Sequence, residues 1–159
     1  MINELLDRLN NSTMFSKIDL WNAYHQIQIR EGNEWKTAFW TYYEHFKYLV
    51  VSFELINASA TFQSYINCAL CDLVDDFCIV YLDNILVFSK SKKEHQKHLE
   101  LVIKHLYHTK LYVNSKKCDF FQFKIKYLEF IIDKNEICMN STHIKTILKW
   151  LCPQTFWDI

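Results

Sequence analysis

Short apolar runs rich in β-branched and aromatic residues recur along this chain, and polar or turn-forming residues bound them. Such runs predict β-strands. In "FCIVYLDNILVFS", residues 77–89, two of them flank Asp83 and Asn84, which predicts a β-hairpin with its tight turn at that pair. By the same criteria we expect strands at 14–20, 37–43, 46–53 (these two joined at Glu44-His45), 111–113, 119–123, 125–132 and 136–139.

Two longer segments carry apolar residues at intervals of three and four, which predicts α-helices. The first spans residues 58–76 after Asn57, a suitable N-cap, and its apolar side is Phe62, Ile66, Leu70 and Leu73. The second spans residues 92–109, and its expected buried side is Leu99, Val102, Ile103 and Leu106. Shorter helices are expected at 3–10 and 141–150. Together these elements predict an α+β fold with helices packed on one face of an antiparallel sheet.

The composition indicates a single globular domain. With 159 residues, of which 50% are hydrophobic and 16% aromatic, the chain can bury a substantial core. We expect no membrane association, because no apolar run has the length of a membrane span and the first ten residues do not resemble a signal peptide. The six cysteines lack paired spacing, which is typical of reduced thiols in an intracellular protein, cytoplasmic or nuclear.

Two residue types are unusually scarce. Gly32 is the one glycine, where average usage of about 7% predicts roughly eleven, and Arg8 and Arg30 are the only arginines among 18 basic residues. A compact domain of this size normally uses glycine wherever the backbone φ angle is positive. Some process has therefore removed glycines and arginines from this sequence.

Charge is balanced overall but not locally. The formal net charge of zero argues against a strong nucleic-acid binder. Between Lys90 and Lys126, however, ten lysines stand against three acidic residues, Glu94, Glu100 and Asp119, an excess of seven. This lysine-rich segment is consistent either with a solvated helix face or with a surface that meets a phosphate backbone.

Two aspartates are candidates for a metal site. Asp19 ends an apolar strand, where a buried carboxylate costs free energy unless it is paired or binds a metal. Asp83 lies at the hairpin turn, where it serves either as a simple turn residue or as a second metal ligand. Two convergent carboxylates suit Mg²⁺, which also binds waters and substrate phosphates, in the manner of two-metal phosphoryl or nucleotidyl transfer.

Other candidate metal ligands are less convincing. Cys68 and Cys71 form a C-x-x-C inside a predicted helix without a second pair, which favours core cysteines over zinc. The second helix also carries histidines three residues apart, for which surface positions are favoured over a metal-binding helix module: His95 with His98, and His105 with His108.

Five motifs in a fixed order resemble the reverse transcriptase of gypsy-class LTR retrotransposons, and the resemblance extends over essentially the whole chain. They are "FSKIDLWNAYHQI", "FELINASATFQ", "YLDNILVFS", "KKCDFF" and "YLEFII". "YLDN" stands where the family has Tyr-x-Asp-Asp. The resemblance implies a polymerase palm, an antiparallel sheet backed by helices, and favours the metal-site interpretation of the hairpin.

The resemblance also implies roles for individual residues. Asp19 and Asp83 would be catalytic carboxylates that bind two Mg²⁺ ions, and Asn84 stands at the position of a third. Tyr24 resembles the steric gate that selects deoxynucleotides. The other implied contacts are with the nucleotide and template, through Phe53, Glu54 and Gln63; with the triphosphate, through Lys117; and with the primer, through the grip residues Tyr127, Leu128 and Glu129.

From this resemblance we expect RNA-directed DNA polymerase activity on a primed RNA or DNA template with deoxynucleoside triphosphates. We assign residues 1–150 to the palm, with truncated fingers, and residues 151–159 to the start of a missing thumb. The family implies origin in a longer polyprotein that also carries RNase H and integrase. A palm without fingers or thumb would grip primer–template poorly.

Several residues depart from the family pattern. Asn84 brings no charge where the family has its second hairpin aspartate, and Glu54 replaces a glycine in the nucleotide-cradling loop. Ser59 replaces a stiffening proline, and Glu44 and Glu129 also replace glycines. We therefore expect weak activity or none; the alternative is a non-catalytic remnant that at most binds nucleic acid.

These departures share one mutational direction. Gly→Glu, Asp→Asn, Pro→Ser and Arg→Trp each follow from a single G-to-A or C-to-T change in the codon, and the same class of change accounts for Ile56, Trp21, Trp40 and Gln28. One mutational process would thereby explain why glycine and arginine are both scarce. The hypothesis is a decayed element copy, and the excess of such transitions in its coding DNA relative to sibling copies tests it.

Overall fold

The computed structural model describes Leu9, residues 12–134 and residues 136–139. Its helices are α1 (Ala58–Ala69) and α2 (Lys92–His108). Its strands are β1 (Met14–Asp19), β2 (Phe39–Trp40), β3 (His45–Phe46), β4 (Cys78–Tyr81), β5 (Asn84–Ser89), β6 (Asp119–Gln122), β7 (Lys124–Tyr127), β8 (Phe130–Asp133) and β9 (Ile137–Met139). Three short 3₁₀ helices lie at Ala23–Gln26, Glu34–Thr37 and Ser115–Lys117.

The main sheet has the strand order β4-β5-β1-β6, and every neighbouring pair in it is antiparallel. Strand β1 is therefore interior, with β5 on one side and β6 on the other. Its register pairs Met14 with Ser89 and continues to Asp19 opposite Asn84. This register brings the end of β1 beside the start of β5.

Both faces of the main sheet are covered. On one face Ile18, Ile85 and Val87 pack with apolar residues of α1 and α2, among them Phe62, Ile66, Leu99, Val102 and Leu106. This confirms the predicted α+β architecture with helices on one face. On the other face Phe15, Leu86 and Phe88 pack against Ile125, Tyr127 and Ile132 of a second sheet, ordered β7-β8-β9.

Local chemistry explains the bounds of α2. Its N-cap Ser91 accepts a hydrogen bond from the Glu94 amide at 3.4 Å, and the Glu94 carboxylate accepts one from the Lys90 amide at 3.1 Å, a variant of the capping box. The helix ends before Lys110, whose φ of 58° is left-handed. In the part of the chain that the structure describes, no helix combines the length and apolarity needed to span a membrane.

Six described residues other than glycine have positive φ: Asn22, Asp75, Leu82, Lys110, Phe121 and Leu128. None of the three glutamates that replace family glycines, at positions 44, 54 and 129, is among them. The backbone at those three positions therefore does not require glycine in this structure.

Several predicted boundaries were wrong. The hairpin turn is Leu82-Asp83 rather than Asp83-Asn84, because Asn84 pairs with Tyr81 as the first residue of β5. Helix α1 stops at Ala69, well before residue 76, so Leu70 and Leu73 are buried outside it. The segment predicted as one strand at 125–132 is the β7–β8 hairpin, which turns at Leu128-Glu129.

The strands predicted at 37–43 and 46–53 are much shorter in the structure, where β2 and β3 have two residues each. Their residues are exposed, so packing stabilises them little. Residues 111–113 form an isolated bridge between Leu20 and Val113 rather than a strand. On α2, Ile103 is 47% exposed, although the periodicity placed it on the buried side. The expected helix 141–150 lies outside the described residues, as does 3–10 apart from Leu9.

Candidate active site

The two candidate carboxylates lie at the same end of neighbouring strands. Asp19 is the last residue of β1, Asp83 is in the turn before β5, and the Leu20 amide donates to the Asp83 carbonyl at 2.9 Å. Burial raises the pKa of the Asp19 carboxyl; Lys117 opposes this rise, Asp83 adds to it, and Lys17 opposes it. Asp83 acts on Asp19 electrostatically, so the structure brings these two residues together.

The turn that carries Asp83 is held from outside the hairpin. Leu82 has a φ of 51°, which is unfavourable for a residue with a Cβ. The Gln63 side chain on α1 accepts a hydrogen bond from the Leu82 amide at 2.8 Å and donates to Asn67 at 2.8 Å. Gln63 thus braces the turn, and its predicted contact with nucleotide or template remains a prediction.

Asn84 also acts on Asp83. Its side-chain amide donates a hydrogen bond to Asp83 Oδ1 at 3.1 Å. In place of a charged ligand, this chain therefore presents a donor that occupies one carboxylate oxygen. The arrangement reduces the lone pairs of Asp83 that are available to a cation.

A cavity of about 520 Å³ opens beside the carboxylates. Asp83, Tyr24, Phe53 and Lys117 all line it, so four of the predicted site residues meet there. The Tyr24 ring lies 5.2 Å from the Phe53 ring and 5.3 Å from the buried Phe62 ring, and its hydroxyl is 3.4 Å from Ser59 Oγ. Tyr24 is thereby fixed at the cavity wall.

The Lys117 ammonium places a positive charge near the Asp19 carboxylate. Its Nζ lies 4.0 Å from Asp19 Oδ1, and its backbone amide donates to the Asn114 carbonyl at 3.0 Å. The Asn114 amide in turn donates to the Asp19 carbonyl at 2.8 Å. Main-chain hydrogen bonds therefore hold the Lys117 segment against the end of β1.

The remaining predicted residues are not among those that line this cavity. Glu54 is exposed beside Phe53, and Leu128 and Glu129 form the β7–β8 turn. Tyr127 is buried, burial raises its pKa, and its hydroxyl donates to the Asn84 carbonyl at 3.2 Å. Tyr127 therefore supports the β4–β5 hairpin, and primer contact by Tyr127, Leu128 and Glu129 remains a prediction.

Sequence reasoning missed Asn114. This residue is one of those that line the cavity, and its Oδ1 is buried with no hydrogen-bond partner. Nothing in its local pattern distinguishes it from other polar loop residues. The signal that could have found it is its position three residues before Lys117 in a segment that returns to the sheet.

The donor set fits a hard divalent cation. Asp19 and Asp83 supply carboxylate oxygens, and Mg²⁺ is commonly held by one or two carboxylates together with waters and substrate phosphates. Within the described residues, no three or more His, Cys, Asp or Glu side chains are grouped so that they could hold a metal. The cation would therefore depend on these two aspartates and on the substrate.

The pair His95 and His98 on α2 is arranged differently from the prediction, whereas His108 of the other pair is exposed as expected. His95 is fully buried, not on the surface, because its two ring nitrogens lie 2.8 Å from Ser16 Oγ and 2.8 Å from Ser89 Oγ. His98 lies 2.8 Å from the same Ser89 hydroxyl. Cys68 and Cys71 are free and exposed rather than in the core.

Comparison with known proteins agrees with this geometry. The family model described as "Reverse transcriptase (RNA-dependent DNA polymerase)" matches residues 2–132. The chain belongs to the reverse transcriptase family. The polyproteins of transposons Tf2-7 and Tf2-3 from Schizosaccharomyces pombe are each 36% identical to this reverse transcriptase chain over 154 residues, which is 97% of it. The chain spans about 12% of the length of each polyprotein.

Solved structures show the same fold. The foamy viral protease-reverse transcriptase in complex with RNA/DNA hybrid aligns over 98% of this reverse transcriptase chain, with a TM-score of 0.84 and 24% identity. The complex of that enzyme with double-stranded DNA aligns over 97%, with a TM-score of 0.82 and 25% identity. This chain covers 21% and 33% of those two chains, respectively.

Proposed function

We propose that this chain is the palm of a retrotransposon reverse transcriptase, in which Asp19 and Asp83 bind two Mg²⁺ ions for addition of deoxynucleotides to a primer 3′ end on an RNA or DNA template. The observation that carries the proposal is the meeting of both aspartates beside the cavity lined by Tyr24, Phe53 and Lys117. The transposon polyproteins support the same assignment, because they match nearly the whole chain. They also support its origin in a longer polyprotein, in which we propose that RNase H and integrase are further parts.

Different side chains around the cavity would have different roles in the reaction. Bound Mg²⁺ would supply positive charge for the phosphates and would acidify the attacking 3′-hydroxyl. The Tyr24 ring, fixed between Phe53 and Phe62, would oppose a 2′-hydroxyl by its bulk. The Lys117 ammonium would lie near the charge of the triphosphate.

The activity of this copy is expected to be weak. Asn84 removes one charge from the metal site, and a carboxylate–metal pair at ~4 Å is worth about 4 kcal/mol at an effective dielectric near 20. If half to all of that acts in the transition state, the rate falls roughly thirtyfold to a thousandfold. Glu54 adds a negative charge beside the cavity, where an anionic triphosphate would approach.

Primer extension tests the proposal. The full chain is incubated with Mg²⁺, a primed RNA template and deoxynucleoside triphosphates, alongside Asp19→Asn, Asn84→Asp/Glu54→Gly and the control Asp72→Asn, which removes the charge of an exposed aspartate outside the cavity. We expect the double variant to extend at least thirtyfold faster than the parent, Asp19→Asn to abolish extension, and Asp72→Asn to change nothing. Extension that survives Asp19→Asn contradicts the site.

A second candidate function is a non-catalytic remnant that binds nucleic acid through the Lys90–Lys126 segment. The observation in its favour is that the lysines of α2 are solvent-exposed: Lys92, Lys93, Lys97 and Lys104. No extension by the Asn84→Asp/Glu54→Gly variant, together with salt-dependent binding of an RNA/DNA duplex that weakens when those four lysines become glutamine, would favour this candidate.

A further inference from the structure

The side-chain oxygen of Asn114 is a hydrogen-bond acceptor to which no group among the described residues donates. Asn114 is one of the residues that line the cavity, and its Oδ1 is buried and accepts no hydrogen bond. An unsatisfied buried acceptor costs free energy, which a donor arriving in the cavity would recover. The residue is also the N-cap of the 3₁₀ helix Ser115–Lys117, but its side chain makes no capping bond. Its side chain therefore has no structural role that the described contacts account for.

A charged donor three residues along the chain, the ammonium of Lys117, belongs to a residue that lines the same cavity. At present it lies 4.0 Å from Asp19 Oδ1, where it is the largest favourable electrostatic influence on that carboxylate. A divalent cation on Asp19 and Asp83 would repel this ammonium at such a distance. The lysine then needs another acceptor, and its backbone is tied to that of Asn114 by the 3.0 Å hydrogen bond.

We propose that the Lys117 ammonium has two positions: the Asp19 carboxylate when no divalent cation is bound, and Asn114 Oδ1 when the carboxylates hold one. The inference rests on the proposed cation site. Asn114 is then a positioning residue that assists cation binding by accepting the displaced lysine. Its contribution depends on Lys117 being present, and this separates it from a direct cation ligand.

A double-mutant cycle measured by calorimetry tests this dependence. Mn²⁺ is titrated into the full chain, Asn114→Ala, Lys117→Met and the double variant, with Lys116→Met as a control that removes the adjacent lysine outside the cavity. We expect Asn114→Ala to weaken Mn²⁺ binding about tenfold, which is the scale of one hydrogen bond to a charged group. Lys117→Met should strengthen binding, and Lys116→Met should leave it unchanged.

The double variant decides the outcome. If Asn114 acts through Lys117, adding Asn114→Ala to Lys117→Met changes the Mn²⁺ affinity less than about twofold. An equal loss in both backgrounds would mean that Asn114 acts on the cation or its waters, and it overturns the proposal. No loss for Asn114→Ala in the parent also overturns it. Urea unfolding of Asn114→Ala should show no loss of stability relative to the parent, because no side-chain hydrogen bond is lost.

A measurement without cation separates this inference from the proposed function. Lysines are methylated with ¹³C-formaldehyde, and the Lys117 signal is assigned by its absence in Lys117→Arg. Asp19→Ala removes the first acceptor, so we expect the Lys117 signal to shift, and Asn114→Ala in the same chain to abolish that shift. A shift independent of Asn114 overturns the second position. If the chain binds no Mn²⁺ but the Lys117 signal still shifts in a way that depends on Asn114, the proposed cation site is wrong. The second position of the Lys117 ammonium is then still supported.

Discussion

At the scale of the residue, His95 joins three elements of the core. From α2 it contacts Ser16 on β1 and Ser89 on β5, and Ser16 Oγ also accepts a hydrogen bond from the Phe121 amide of β6 at 3.0 Å. Burial lowers the pKa of His95 to about 4, and His98 contributes in the same direction. The ring is therefore neutral in the folded protein at physiological pH.

This histidine makes stability depend on pH. An unfolded histidine binds its proton near pH 6.5, whereas folded His95 does so near 4, so the free energy of unfolding should fall as the pH drops through this window. Between pH 6.5 and 5.5 the loss should be about 1 kcal/mol, because the unfolded histidine is only half protonated at the higher pH. Urea unfolding at the two pH values measures it. His95→Gln should remove most of this dependence, and the control His108→Gln, at an exposed position of α2, should retain it.

At the scale of the element, the β4–β5 hairpin depends on neighbours for its shape. Its turn contains Leu82 with positive φ, and Gln63 of α1 provides the acceptor for the Leu82 amide. On the other side Tyr127 of β7 reaches the Asn84 carbonyl. Helix α1 and the small sheet therefore fix the position of Asp83 jointly.

Removing the brace from α1 should destabilise the protein. We expect Gln63→Ala to lower the free energy of unfolding by about 1 kcal/mol, because the Leu82 amide loses its acceptor. Gln63→Glu keeps an acceptor oxygen and should retain most of that stability. Equal urea midpoints for the alanine variant and the parent would show that the contact does not stabilise the turn.

The contact from the small sheet can be tested separately. Tyr127→Phe keeps the buried ring and removes only the hydroxyl that donates to Asn84, so a loss of about 1 kcal/mol is expected in urea unfolding. Tyr107→Phe removes a hydroxyl from an exposed ring of α2 and serves as the matched control, with no expected change. A similar loss in both variants would contradict the specific role of Tyr127.

Elements whose buried side follows from a local periodic pattern could be predicted from the sequence. Features that depend on contacts between residues far apart in the chain could not. The periodicity of residues 92–109 gave α2 almost to the residue, because Leu99, Val102 and Leu106 do pack on the sheet. The turn of the hairpin was misplaced by one residue, because a leucine at positive φ is unfavourable locally and is retained through Gln63, nineteen residues away. Asp19 and Asp83 were predictable from their motifs. Asn114 and the burial of His95 were not, since both follow from tertiary contacts.

At the scale of the whole molecule, one surface stands out as apolar. The aromatic ribbon, which we define as β2, β3 and the turn 41–44 between them, contains Trp40 at 80%, Tyr42 at 95% and Tyr43 at 88% exposure. Its two strands pair only with each other among the described elements. Exposed aromatic side chains at this density favour self-association in solution.

Trp40 offers a direct test of this surface. Trp40→Arg, the change that reverses the inferred arginine loss, should raise the monomeric fraction in size-exclusion chromatography at high protein concentration. The free energy of unfolding should change by less than about 0.5 kcal/mol, because the ring is mostly exposed. Lys36→Arg, on the 3₁₀ helix before β2, is the control, because it introduces an arginine without changing the charge. An unchanged monomeric fraction contradicts the role of the ribbon.

The register that sets Asp19 opposite Asn84 has a genetic consequence. Main-chain hydrogen bonds and the packing of interior strands hold both positions, and neither depends on whether residue 84 ends in an amide or an acid. On the proposed function, a single base change at codon 84 would weaken the activity of such a palm, and the reverse change would strengthen it, while the fold is retained. Dormant copies of this kind would form a reservoir from which recombination could recover working elements.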